Sequence, residues 1–206
     1  MTAMTVMEIK RQFSAKLVEA QHARDTRIRE ISELRQPSGD PYLLDRLDDA
    51  QRAKLLAEQK SAAAEEDRRR RLDELEQAHD RYKAAAEERT TSLRERLFRN
   101  EGGEKAELLA RLATASEAEL GSMLSVAAET GNRDLGRAVF ATAHRRDLPE
   151  LLVRYFAEVD GEAQPLYQEF NASPSEATIA RQREGIGQMI GPASSETLAG
   201  SPQVFS

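Results

Sequence analysis

The chain contains no cysteine and no tryptophan, and only 5% of its 206 residues are aromatic. Without cysteine there is no disulfide and no thiolate metal site, which fits a protein of a reducing compartment. No apolar run approaches the roughly 20 residues of a membrane-spanning helix, and the N-terminus lacks the basic and apolar segments of a secretion signal. We therefore expect a soluble, cytoplasmic protein, or one assembled there into a particle such as a virion.

Proline and glycine are both absent from position 42 to position 99, a run of 58 residues dominated by Ala, Glu, Lys, Arg, Gln and Leu. A helix of that length would extend roughly 85 Å, several times the usual helix of a globular domain. The low hydrophobic fraction of 39% also argues against one large core. The run predicts a long helix that reaches, spaces or oligomerises rather than one that helps to form a pocket.

A second, amphipathic helix is predicted between positions 6 and 35, where apolar residues recur every three or four positions. It ends at residues 36–41, where two prolines and a glycine stop helical hydrogen bonding. Helix, short turn and long helix is the order of an antiparallel hairpin. The predicted fold class is all-α, and residues 1–100 are expected to form a helical hairpin or coiled-coil stalk.

The long helix has two predicted apolar patches that are separated by a polar stretch. The first ends at Leu56, and residues 57–71 offer only alanine as apolar groups. From Leu72 onward the pattern returns at the heptad spacing of coiled coils. Because the helix at 6–35 would cover only about half of the long helix, we expect the second patch to bind another subunit or protein. The alternative is cover by the C-terminal helices of the same chain.

Charge is distributed unevenly, because the net charge of -6 divides into +1 for residues 1–100 and -7 for residues 101–206. The acidic second half disfavours nucleic acid and anionic membranes as partners and favours a basic protein surface. Acidic residues flank the most basic run, Arg68 to Arg71, which predicts an ion-paired helix face. The alternative function is a nucleic-acid-associated or regulatory coiled-coil protein that uses this cluster, with strongly salt-dependent DNA or RNA binding.

The sequence changes from one long helical pattern to short apolar-periodic segments after Asn100 to Gly103. The paired glycines of that segment predict a domain boundary. Residues 101–172 are expected to form a small acidic bundle of four or five short helices, because short apolar-periodic segments alternate with helix start and stop signals. One such signal is the capping box from Ser116 to Glu119. Residues 173–206, rich in Ser, Pro, Gly, Thr and Ala, are expected to be a mostly flexible tail with one weak amphipathic stretch.

No catalytic, cofactor-binding or metal-binding residue is predicted. The three histidines, at positions 22, 79 and 144, lie far apart in the sequence without a partner set typical of a hydrolase or metal site. The glycines of residues 185–191 lack the preceding strand and the spacing of a phosphate-binding loop. An enzyme remains a third class of function, and it would require a concave site with converging polar groups in residues 104–171.

The function predicted from the sequence is therefore non-enzymatic: a structural or assembly protein that acts by helix-mediated self-association or docking, as a homo-oligomer or in a larger assembly. By analogy of build, a phage virion or scaffold component is the expected setting. The residues predicted to make protein contacts are Leu72, Leu75, Tyr82, Leu93, Leu97 and Phe98 on the long helix, with Ile179, Ile186, Met189 and Ile190 near the C-terminus.

Overall fold

A computed structural model describes residues 4–98 and 105–191. Within those residues the chain is all-α, as predicted, with nine helices and no strand. None of these helices is both long and apolar enough to cross a bilayer. The helices are α1 Val6–Glu33, α2 Pro41–Leu44, α3 Asp49–Phe98, α4 Lys105–Thr114, α5 Glu117–Thr130, α6 Arg133–Arg145, α7 Pro149–Glu158, α8 Ala163–Asn171 and α9 Glu176–Met189.

The described residues divide into two compact units, and both units are discontinuous in sequence. The short-helix unit comprises residues 4–8, 85–98 and 105–173. The hairpin unit comprises residues 9–84 and 174–191. The predicted division at residue 100 therefore differs from this grouping, since the end of the long helix belongs with the short helices. The boundary segment from Asn100 to Gly103 itself lies outside the described residues.

In the hairpin unit, α1 and α3 are antiparallel, as the sequence order predicts. Close to the turn, Lys60 Nζ donates to the backbone carbonyl of Ser32 at 2.9 Å. Further along, Arg71 donates to the carbonyl of Ala23 at 3.1 Å. Near the beginning of α1, Phe13 stacks on Tyr82. From the first contact to the third, the residue number falls on α1 and rises on α3. The three contacts therefore define one antiparallel register of the hairpin.

The long helix begins at Asp49 rather than at Tyr42, and one turn of separate helix, α2, precedes it. Asp48 explains this start, because its side chain accepts from the N–H of Gln51 at 2.7 Å. In return, the Gln51 side chain accepts from the N–H of Asp48 at 3.0 Å. This reciprocal pair has the form of a capping box, so α3 starts at a local sequence signal and not at the last proline.

Helix α9 packs in the hairpin unit and occupies part of the segment predicted to be a mostly flexible tail. Ser175 caps it by accepting from the N–H of Thr178. Ile179, Ile186 and Ile190 are buried, which orders a stretch whose composition alone favours disorder. Residues 192–206 of the predicted tail lie outside the described residues.

The short-helix unit has a core shared by α4 to α8 and the end of α3. Its buried side chains include Leu112, Leu120, Leu124, Phe140 and Tyr155. Phe140 is central, since its ring stacks on that of Tyr155 at a centroid distance of 4.6 Å. The sequence is consistent with this packing: α5 begins with the predicted capping box at Ser116 and ends at Gly131, whose φ is 65°.

Candidate interaction sites

Most of the large apolar side chains that are exposed in the described part of the hairpin unit lie at the turn of the hairpin. Tyr42 is 83% exposed and Leu43 is 61% exposed on α2, while Leu34, just after α1, is 44% exposed. None of the four α2 residues is buried. We call the surface formed by Leu34, Tyr42 and Leu43 the hairpin tip. Exposed apolar patches mark interaction sites, which makes the hairpin tip a candidate for one.

Local hydrogen bonds hold the backbone of the hairpin tip. Asp40 caps α2 by accepting from the N–H of Tyr42 at 3.0 Å, and Pro41 occupies the first helical position. On the other side of the turn, the Gln59 side chain accepts from the N–H of Ser38 at 2.8 Å and donates to its carbonyl at 2.6 Å. The tip therefore presents its apolar groups from a defined backbone.

Tyr42 differs from the other aromatic residues of the part of the chain that the structure describes. Each of the others is buried or half-buried, as Phe13 and Tyr82 are in the hairpin unit. The sequence pattern does not single out Tyr42, because this residue follows the turn signal and precedes the apolar periodicity of α3. The available signal was a Tyr-Leu-Leu run directly after Asp40 and Pro41, where a one-turn helix cannot bury all of its side chains.

A second candidate site, which is polar and aromatic, lies inside the hairpin unit. Phe13 stacks on Tyr82 at 4.8 Å between ring centroids and meets His79 edge-on at 5.7 Å. The Nε2 of His79 lies 3.1 Å from the carbonyl oxygen of Ile179 on α9. Because a carbonyl only accepts, Nε2 carries a proton and donates it to this bond. We call Phe13, His79 and Tyr82 the aromatic face of the hairpin.

Hydrogen bonding at this face is incomplete. His79 Nδ1, the Tyr82 hydroxyl and Gln182 Oε1 are buried and have no hydrogen-bond partner in the described residues. The nearest carboxylate oxygen to His79 Nδ1 belongs to Asp80 at 3.7 Å, which is beyond hydrogen-bond distance. Burial raises the pKa of Tyr82, and the nearby Gln182 side chain offsets part of this rise without forming a well-aligned bond.

The predicted contact residues do not form one free surface. Leu75 and Tyr82 are buried in the hairpin unit, with Leu72 half-buried. Leu93 and Leu97 are buried in the short-helix unit, where the half-buried Phe98 packs against the core. On α9, three of the four are buried, and Met189 is half-buried. Most of these side chains are therefore buried within the chain, and a partner for them stays a prediction.

The arginine run of α3 is largely engaged by carboxylates. Arg68 pairs with Glu65 through two bonds of 2.9 Å. Asp67 accepts from Arg70 at 2.9 Å and from Arg71 at 2.7 Å, and the second of these pairs is buried. Three of the four arginines are thus paired with carboxylates, as the flanking acidic residues predict, but the pair of Arg71 is buried within the hairpin unit and is not solvated.

A cleft of about 390 Å³ lies in the short-helix unit. Tyr155 lines it, and burial, together with the charge of Asp160, raises the pKa of its hydroxyl to about 12. This phenol therefore stays protonated at neutral pH. The remaining lining is charged or apolar and contains no histidine or serine. It consists of Glu95, Arg96, Leu97, Arg133, Glu162, Ala163 and Leu166. No group of residues that could hold a metal ion occurs in the part of the chain that the structure describes.

The three histidines have separate environments. His22 is exposed and His79 belongs to the aromatic face. His144 stacks on Phe98 at 5.0 Å between ring centroids, and its Nδ1 lies 3.0 Å from the Tyr167 hydroxyl. Burial lowers the pKa of His144. Within the described residues, no group of side chains that could hold a metal ion forms around these rings.

Compared with known proteins, the chain matches no protein-family model, no curated protein and no solved structure.

Proposed function

We propose that the chain is a non-enzymatic structural or assembly protein that self-associates through the hairpin tip. The single observation that supports this most strongly is the 83% exposure of Tyr42 beside the exposed Leu43 and Leu34. Aromatic side chains are favoured at protein interfaces because they bury a large area with few rotatable bonds. A solvent-exposed tyrosine held on a capped turn has this property.

A second copy of the chain is the proposed partner because the charged residues next to the hairpin tip, Asp45 and Arg46, are of opposite sign and could pair between two copies. Asp45 and Arg46 follow the apolar residues directly and are exposed. The Asp45 carboxylate is 4.0 Å from Arg52, at the limit of an ion pair. Arg46 has no ion pair among the described residues. In a two-fold contact, residue i of one copy meets residue j of the other and the reverse. Two copies would thus form two Asp45–Arg46 pairs around a Tyr42 and Leu43 centre.

The setting we propose is a repeated part of a larger assembly, such as a virion or a scaffold. A contact made by one turn and a few side chains buries less area than a permanent dimer needs. Many weak contacts can still act together once other surfaces hold the copies at high local concentration. Weak and concentration-dependent association of the isolated chain is the expected result.

The test is the solution mass of the chain, measured by light scattering over a wide concentration range. We expect the mass to rise with concentration for the wild type and to remain that of a monomer for Tyr42→Ser/Leu43→Ser. Val18→Ser is the matched control, because Val18 is 67% exposed in the same unit but lies in the middle of α1. It should associate like the wild type.

A charge exchange distinguishes specific pairing from general stickiness. Asp45→Arg and Arg46→Asp should each weaken association, because each places like charges opposite one another. The double variant Asp45→Arg/Arg46→Asp should restore it. A wild type that stays monomeric at every concentration would exclude self-association through the tip.

A further inference from the structure

Helix α9 is attached to the hairpin by few contacts. Its buried side chains, Ile179 and Ile186, are seven positions apart and so share one side of the helix, and Ile190, directly after its end, is buried as well. Polar contacts at its two ends are made by His79, which donates to the Ile179 carbonyl at 3.1 Å, and by Arg24, which donates to the Gly191 carbonyl at 3.2 Å. The attachment therefore consists of a narrow apolar stripe with a hydrogen bond near each end.

The sequence of α9 weakens the helix itself. Gly185 and Gly187 lie on either side of the buried Ile186. A methyl group placed on either glycine would meet nothing within 4 Å, so packing does not require glycine there. Glycine in a helix interior is strongly disfavoured relative to alanine. The charged residues of α9 also form no ion pair with one another in the described structure, unlike those of α3.

The contact between α9 and the aromatic face also leaves polar atoms without partners. The Tyr82 hydroxyl on α3 and Gln182 Oε1 on α9 are close to each other, and both are buried without a hydrogen-bond partner. Water would satisfy these atoms once α9 is displaced, which reduces the free-energy difference between the attached and released states. A weak helix and an incompletely bonded contact favour the same outcome, which is local opening of α9 while the hairpin stays folded.

We propose that the aromatic face is a helix-binding site, that α9 occupies it as a displaceable cover, and that an amphipathic helix of another chain binds there when α9 is released. The ligand class is a helix with branched apolar residues at the spacing of Ile179, Ile186 and Ile190. This inference goes beyond self-association through the hairpin tip and does not depend on it.

Amide hydrogen exchange on the full chain tests the opening. We expect the amides of residues 180–190 to exchange faster than those of residues 67–82. Each of Gly185→Ala and Gly187→Ala should slow exchange in α9 about fourfold, because alanine favours the helix. Their combination should slow it roughly fifteenfold without changing the hairpin. Ala180→Gly, at an exposed position of α9, should accelerate exchange by a similar factor.

A binding experiment tests the site. The probe is a fluorescent peptide of residues 174–191 that carries both glycine-to-alanine changes. It should bind the full chain carrying Ile186→Glu, whose own α9 is released, at least tenfold more tightly than the full chain carrying Gly185→Ala/Gly187→Ala. A peptide with Ile179→Glu and Ile186→Glu is the control and should not bind. Circular dichroism and exchange in residues 67–82 should show that the hairpin of the Ile186→Glu chain remains folded.

Two results would overturn the proposal. The first is exchange of α9 at the same rate as the hairpin in every variant, which would mean that α9 opens only with global unfolding. The second is peptide binding that is absent, or equal for the Ile186→Glu and the double alanine chains. If Ile186→Glu unfolds the hairpin, Ile186→Ala takes its place in the binding experiment, with the same comparison.

Discussion

Arg89 and Glu169 are joined by two hydrogen bonds, from Nε at 2.8 Å and from a terminal nitrogen at 2.7 Å, although 80 positions separate them in the sequence. Glu169 also accepts from the backbone N–H of Val6 at 2.9 Å. One carboxylate thus joins α3, α8 and the first residue of α1 within the short-helix unit. The two charged side chains are only 12% and 13% exposed, so solvent screens their attraction little.

Removal of one partner should therefore destabilise the short-helix unit substantially. Arg89→Ala leaves a largely buried carboxylate with one remaining donor, and we expect a loss of about 3 kcal/mol in the free energy of unfolding. Arg154 is the matched control, since it makes a similar two-bond pair with Glu158 at 3.0 and 3.1 Å but is 39% exposed. Arg154→Ala should cost clearly less in urea unfolding. Equal losses would show that burial of the Arg89 pair contributes nothing.

The same pair predicts how stability responds to acid. The bond with Arg89 lowers the pKa of Glu169 below its ordinary value of 4.5. Folding then favours the charged carboxylate, so the stabilisation is complete above the unfolded pKa and is lost as pH falls through the folded pKa. Glu169→Gln should accordingly be less stable than the wild type at neutral pH, and the difference should shrink below about pH 4.5. Urea unfolding over a pH series measures this, and a constant difference would contradict it.

His144 gives a second, separate pH dependence. Burial lowers its pKa from 6.5 by more than Asp147 raises it, so folding favours the neutral ring. The unfolded chain then binds more protons once the pH falls below about 6.5, and stability decreases through that window. We expect the wild type to lose more stability than His144→Gln between about pH 7.5 and about pH 5.5. His22→Gln, at an exposed site, should follow the wild type, and proton NMR should place the pKa of His144 below 6.5.

Local signals in the sequence predict the hairpin and most of the helices. The capping box at Ser116 and Glu119 is formed as predicted, because its donors and acceptors are three residues apart. The antiparallel pairing of α1 and α3 follows from the turn at residues 36–41, where two prolines and a glycine interrupt the helix and the chain reverses its direction. These features depend on spacing within a few residues, which the sequence displays directly.

The contacts that join distant segments were not visible in the sequence. Nothing marks Glu169 as the partner of Arg89 among 36 acidic residues, and only the folded backbone brings them together. Helix α9 was underestimated because its glycines and its neighbouring serines and prolines resemble a linker, while burial of three isoleucines outweighs that composition. The exposure of Tyr42 is also a tertiary property, since its neighbours in the sequence are equally apolar.

At Gly136, glycine is required by packing and not by the backbone angle φ. It lies within α6 and is buried. A Cβ at this position would lie 2.7 Å from Cγ1 of Val159 and 3.5 Å from a ring carbon of Tyr155. The methyl group of a β-branched side chain has no free rotation with which to withdraw. Gly136→Ala should gain about 1 kcal/mol from helix propensity but lose up to about 3 kcal/mol from overpacking, a net loss of up to about 2 kcal/mol.

A second substitution separates these two contributions. Val159→Ala removes the clashing methyl, so Gly136→Ala in that background should lose nothing and should recover part of the helix propensity. The expected coupling between the two positions is therefore favourable, and urea unfolding of the two single variants and the double variant measures it. Gly187→Ala, which meets nothing within 4 Å, should stabilise in either background. If Gly136→Ala alone were stabilising, Val159 would have to move aside at little cost, and close packing between α6 and Val159 would not be what keeps glycine at this position.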